Sequence, residues 1–238
     1  MILTIGPGGS GLTFLNWSII YLRGDNFYTT LDSKTHQVTN NPLRSIGTAH
    51  GHQKDHIAVT SELLKLKQAS SQSVVYVVPT KQSDINYILS FASKKIVFNT
   101  STDSDMLMAR MCSVIPNNPY TKFIDNLSTK YNKQIIKQML IESNKFFTNY
   151  YTIEVKSQDC IVIDYADIFK NLDQQIYKIF KYLELEILPD RMEAWSLVYQ
   201  EYRSMNQDWL SKFLNKFVEV DNATKTKILK EIIQWKNG

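Results

Sequence analysis

Two short stretches of this 238-residue chain combine residue types that can act on a ligand. The first is Ile5 to Leu15, IGPGGSGLTFL. Gly6, Gly8, Gly9 and Gly11 place four glycines in six residues, which opens backbone conformations barred to other residues. Such a turn between a strand and a helix aims several backbone N–H groups into one concavity. The helix N-terminus adds partial positive charge there, so phosphate or sulfate oxygens fit. The expected nest is Gly8, Gly9, Ser10, Gly11, Leu12 and Thr13, with the Thr13 hydroxyl in the first helical turn. Gly6, Gly11 and Thr13 match the spacing Gly-x4-Gly-Lys-Ser/Thr, but Leu12 stands where the Lys belongs. Ordinary ATP or GTP hydrolysis needs that Lys on the terminal phosphates, so a standard nucleotide hydrolase is disfavoured. The competing reading is a glycine turn that merely allows tight strand–helix packing.

The second stretch holds the histidines. All four fall within residues 36–56, and three lie in His50-Gly51-His52-Gln53-Lys54-Asp55-His56. An imidazole with a pKa near 6.5 takes a proton at neutral pH, which suits a general base. His50 is the first candidate and His52 the alternate. A zinc or iron site is a second reading of the same spacing, with Asp55 nearby. No Cys lies close, and no metal is expected. Surface histidines without a role are the third reading.

Other residues read as structural. Asp103 and Asp105 suit helix capping. Asp164 and Asp167 flank a strand end. Trp195, Tyr199, Tyr202 and Trp209 recur at helical spacing, which predicts core packing or a protein contact rather than a ligand box.

The elements that must position these groups alternate between strand and helix. Residues 1–5 read as a strand, and 12–22 as a helix apolar nearly all round and therefore buried, with Gly24 as its stop. Residues 25–45 read as a loop carrying a short strand. Ser45–Ala49 reads as a strand end leading into the histidines, and 57–68 as a helix. Ser73–Pro79 and Lys95–Asn99 read as strands, with helices at Asp84–Phe91, from Asp103 or Ser104 to about 113, and over 120–149. Tyr151–Val155 and Cys160–Asp164 follow as strands, the latter buried. Asp173–Leu183 reads as an amphipathic helix, and the rest as helix with a break near Pro189. Continuously apolar strands alternating with helices predict a three-layer α/β domain with a mainly parallel sheet. One domain is expected over 1–238, with residues 185–238 as a helical C-terminal appendage.

Composition narrows the class. Hydrophobic residues make up 43% and charged residues 21%, as in an ordinary globular protein. No apolar run approaches the ~20 residues of a membrane span. MILTIGPGG lacks the basic start of a secretory signal. Cys112 and Cys160 make no disulfide framework, which suits a reducing, cytoplasmic compartment. The net charge of +4 is spread along the chain, and Lys outnumbers Arg 22 to 5. That pattern disfavours specific nucleic-acid binding and suits solvated helix faces with local attraction for an anion.

The glycine segment resembles the 5′-phosphosulfate loop of the sulfotransferases, a branch of the P-loop fold, at Gly6, Ser10, Gly11, Thr13 and Leu15. Val162–Ile168, followed by Ile176, Ile179, Phe180, Leu183 and Leu185, is similar to that family's late strand, acidic turn and helix. The short, Lys- and Asn-rich form looks like versions carried by marine bacteria or their phages. The resemblance implies a P-loop-type fold and transfer of a sulfuryl group from 3′-phosphoadenosine 5′-phosphosulfate to an acceptor hydroxyl, without a metal. It implies His50 as general base. Two departures stand out. Gly9 replaces the family's basic loop residue, leaving Lys54 as a substitute cation. The Arg and Ser that hold a 3′-phosphate are matched neither by Asn99 with Leu107 nor by Val78 with Asn86, leaving Arg110, Ser101 or Ser104 as substitutes. The departures favour an alternative: a non-catalytic binding or structural subunit, for example of a virus particle, with a protein partner on its C-terminal helices.

Overall fold

Ile2–Ile5 are four consecutive buried apolar or β-branched residues, and they form strand β1 at the centre of a parallel sheet. The fold is seen in a computed structural model that describes residues 1–6, 11–29, 35–44, 56–57, 73–77, 94–99 and 160–214. Helix α1 spans Leu12–Leu22, and a hairpin follows from β2 (Phe27–Thr29) and β3 (Thr35–Gln37). Strands β4 (His56–Ile57), β5 (Val74–Val77), β6 (Lys94–Asn99) and β7 (Cys160–Asp164) complete the main sheet. Three helices close the described chain: α2 (Tyr165–Lys170), α3 (Leu172–Leu183) and α4 (Pro189–Leu214).

Among the described residues the main sheet has five strands in the order β4-β5-β1-β6-β7, every pair parallel. Strands and helices of this kind make an α/β fold. Registers such as Ile2↔Val74, Ile96↔Ile161 and Phe98↔Ile163 bring Ile2, Val74, Ile96, Phe98 and Ile163 to one face, where they join a buried cluster with α1, α3 and α4. Leu3, Ile5, Val75, Val77 and Val97 alternate with them and are buried too. That double burial is why β1 and β5 read as unbroken apolar runs.

Helix α1 is the inner element on the first face. Ten of its eleven residues are buried, and Thr13 is the exception. Its two fully buried polar side chains are paired. Thr4 Oγ1 donates to Asn16 Oδ1 at 2.6 Å, while Ser18 Oγ donates to the Phe14 carbonyl and accepts from Trp195 Nε1, both at 2.9 Å. Gly24 ends the helix with φ +95°, as expected from its type, and a Cβ there would collide with Leu188.

Helix α4 lies antiparallel along α1. Leu188 N–H donates to Leu22 O at 2.8 Å, and Arg191 Nη1 to Tyr21 O at 3.0 Å and Asp25 O at 2.9 Å. Trp195 meets Ser18, and Tyr202 stacks on Phe14 with ring centroids 3.8 Å apart. Leu188 thereby satisfies the Leu22 carbonyl at the end of α1, while Tyr21 O accepts from both Gly24 N–H and Arg191.

Two expectations are corrected. Ile57 lies in β4 rather than opening a helix over 57–68. Strand β7 is not a buried strand: Ile163 is buried, but Val162 is 48% exposed and Asp164 is exposed. Among the described residues β7 is an edge strand, and only its face toward the helices is covered. The strands expected at 45–49 and 151–155 lie outside the described residues. So do the helices expected at 84–91, 103–113 and 120–149.

Candidate functional site at the glycine turn

The turn leaves the carboxyl end of the central strand. Gly6 N–H donates to Val77 O at 3.3 Å, which extends the β1–β5 ladder by one residue. The chain enters α1 at Gly11, with φ +85° and ψ 12°, a left-handed conformation that favours glycine. The first helical hydrogen bond runs from Leu15 N–H to Gly11 O at 3.0 Å. The N–H groups of Leu12 and Thr13 therefore precede any intrahelical acceptor. Among the described residues no side chain caps this end, and the first turn carries no acidic residue. The partial positive charge of a helix N-terminus attracts an anion.

Gly11, Leu12 and Thr13 are thus brought to one helix start. Leu12, which replaces the Lys of the phosphate-binding spacing, is 4% exposed and packs in the core. Thr13 is half-buried. Gly8, Gly9 and Ser10 lie outside the described residues, as do His50, His52 and Lys54. His56 opens β4, in register with Tyr76. His36 stacks on Tyr28 within the hairpin at 5.4 Å and is exposed. Among the described residues no three His, Cys, Asp or Glu side chains are placed to share a metal ion.

Strand order sets the surroundings of the turn. The chain leaves β1 toward β4 on one side, while β6 leads to β7 on the other. Neighbouring strands whose connections diverge leave a crevice at their carboxyl ends, where open α/β sheets bind ligands. Asn99 ends β6 and Asp164 ends β7, paired in register on that same edge. Asp167 is structural: its carboxylate accepts from Asn171 Nδ2 at 3.1 Å and Gln175 Nε2 at 2.8 Å.

The structure adds residues that the sequence did not connect with the turn. A Cβ on Gly11 would stand 2.8 Å from Tyr202 Oη, 3.1 Å from Ile168 Cγ2 and 3.5 Å from Phe169 Cζ. Helices α2 and α4 therefore close on the packed side of Gly11. The periodicity of Trp195, Tyr199 and Tyr202 marked a buried face, and all three are core residues. Nothing local to α4 says which loop that face meets. Tyr199 is also tied to α3, its hydroxyl accepting from Leu172 N–H at 2.7 Å.

Away from the turn, Lys95 is 1% exposed and in register with Cys160 on β7. Burial pushes the Cys160 thiol up to about 12, with the Lys95 charge opposing. Among the described residues no helix is long and apolar enough to cross a membrane. No protein-family model matches the sequence, and no curated protein matches it.

Proposed function

We propose that the chain is a sulfotransferase-like protein of P-loop type whose glycine turn, residues 6–13, holds the 5′-phosphate or phosphosulfate end of a nucleotide. The observation that carries this reading is the start of α1 on a left-handed Gly11 beyond the carboxyl end of the central strand, where the connections of β1 and β6 diverge. The N–H groups of Leu12 and Thr13 suit sulfuryl or phosphoryl oxygens. The donor, 3′-phosphoadenosine 5′-phosphosulfate, supplies an activated sulfuryl group. In the reaction proposed, the acceptor hydroxyl loses its proton to His50. Its oxygen bonds to sulfur as the sulfur–oxygen bond to the phosphate breaks. The phosphate leaves with the electron pair.

A second reading is favoured by the side chains. Leu12 is committed to the core, Gly9 offers no cation, and the strand ends of β6 and β7 carry Asn99 and Asp164. Those strand ends offer no cation to a 3′-phosphate. A binding or structural subunit that keeps the anion nest without turnover fits this set.

Calorimetry with inorganic sulfate, adenosine 5′-phosphosulfate and adenosine 3′,5′-bisphosphate tests both readings. Binding of the bisphosphate together with sulfuryl transfer supports the enzyme. Binding of an anion without transfer supports the subunit. No binding of any of the three rejects the nest.

A further inference from the structure

We infer that Tyr202 is a positioning residue for the glycine turn: from the far end of the described chain its phenol holds Gly11 in the conformation that starts α1. The role in ligand binding rests on the reading of residues 6–13 as an anion nest; the mechanical role does not. Tyr202 is 1% exposed. Its ring lies flat on Phe14, with centroids 3.8 Å apart and planes 2° apart, and it also packs on Phe169 at 5.7 Å. Two aromatic neighbours fix the ring, so its oxygen has one place to be. That place is 2.8 Å from where a Cβ at position 11 would stand, closer than a real Cβ tolerates.

The contact has a mechanical consequence. Gly11 can reach backbone conformations that other residues cannot, and a free glycine turn would exchange among them. The Tyr202 oxygen on one side, with Ile168 and Phe169 beside it, leaves Gly11 room for the left-handed turn at φ +85°. The Gly11 carbonyl then accepts from Leu15 N–H at 3.0 Å, which fixes the first turn that carries the Leu12 and Thr13 N–H groups. Preorganisation of this kind spares a ligand the cost of ordering its own site. Helix α4 is held elsewhere by Arg191 on Tyr21 and Trp195 on Ser18, so Tyr202 rests on a splint anchored along α1.

Hydrogen exchange on the full chain reads this directly. The Leu15 amide reports on Gly11, and the Arg23 amide, bonded to Ile19 O, reports on the far end of α1. In Tyr202→Phe, Leu15 exchange is expected to speed up about tenfold with Arg23 unchanged, because a local opening is released. Sulfate or adenosine 3′,5′-bisphosphate should then bind about fivefold more weakly, as preorganisation is lost. Tyr199→Phe, which loosens α4 at α3 instead, should move neither reading. Should Tyr202→Phe not fold, Phe14→Leu removes the ring that seats the phenol and must give the same two losses. Unchanged Leu15 exchange, or an equal change in Tyr199→Phe, overturns the proposal whatever the ligand does. A Leu15 response in a chain that binds no anion overturns the anion reading and leaves Tyr202 as the residue that sets the turn.

Discussion

The Tyr202 hydroxyl oxygen lies 2.8 Å from the point where a Cβ on Gly11 would stand. Two independent reasons therefore require glycine at position 11: the left-handed backbone and the phenol beside it. Any larger residue meets Tyr202 on the packed side of the turn, so Gly11→Val would disturb the fold as well as ligand binding. Gly11→Ala is expected to cost about 2–4 kcal/mol, from left-handed strain and overpacking together. In a Tyr202→Phe background the cost should fall by at least about 0.5 kcal/mol, a coupling that a double-mutant cycle in urea measures. Additive costs would show that the phenol is not the obstacle.

Tyr199 should matter through one hydrogen bond. Its hydroxyl accepts from Leu172 N–H, in a buried pair at the start of α3. Tyr199→Phe keeps the ring and leaves that N–H without the acceptor, which is expected to cost about 1–3 kcal/mol. The urea midpoint should drop with the slope unchanged. An unmoved midpoint would mean that the bond adds nothing net.

Glu184 ends α3 in a left-handed conformation, φ 58° and ψ 38°. Its carboxylate meets Lys94 Nζ at 3.0 Å, but the side chain is 80% exposed, and such pairs add little. Glu184→Gly should therefore stabilise the fold by about 0.5–1 kcal/mol, since glycine takes this conformation without strain. Thermal melts alongside Glu184→Ala separate the backbone effect from the lost charge. A lower melting temperature for Gly than for Ala would contradict the account.

Alkaline pH should weaken the fold. Burial pushes the Cys160 thiol up to about 12 from an ordinary 9.0, and burial raises the Tyr76 and Tyr199 phenols as well. Each group is held neutral in the fold, so the unfolded chain releases its proton first as pH rises. The stability from Cys160 is fully present below about pH 9 and is lost as pH climbs toward 12. In a Cys112→Ser background, iodoacetamide at pH 8 should modify Cys160 slowly in the folded chain and readily in urea. Equal rates in both would show an accessible thiol.

Gly9 tests enzyme against binding subunit. Sulfuryl transfer builds negative charge on the departing phosphate, and losing a contact to such charge costs roughly 3–4 kcal/mol. The natural chain should be slow, Gly9→Arg faster, and His50→Ala slower by about 10²–10⁴-fold where transfer is measurable. Transfer at ordinary rates by the natural chain would call for another cation, and Lys54→Ala is the variant that checks it.

Several elements were legible because their cause is local. Strand β1, helix α1 with its Gly24 stop, the core of β5 and helix α3 follow from apolar runs, helical spacing and one glycine. The hairpin of β2 and β3 was read only as a loop with a short strand. Its strands are three residues each and mostly exposed, with no apolar run to mark them, and the chain beyond β3 is held by Trp17 Nε1 donating to Thr39 O at 2.8 Å and by Val38 N–H donating to Asn26 O. The exposure of Val162 was hidden, because a run of apolar residues does not say whether a strand has one neighbour or two.

The sequence by itself determined that a glycine-dense turn joins an apolar strand to a buried helix, because backbone freedom and periodicity are properties of adjacent residues. Only the tertiary structure decided that β1 is central and that Leu12 turns into the core. It alone brought the aromatic face of α4 to rest against Gly11. Those outcomes depend on strand order and on contacts between opposite ends of the chain, and no local pattern carries the partner of a buried face.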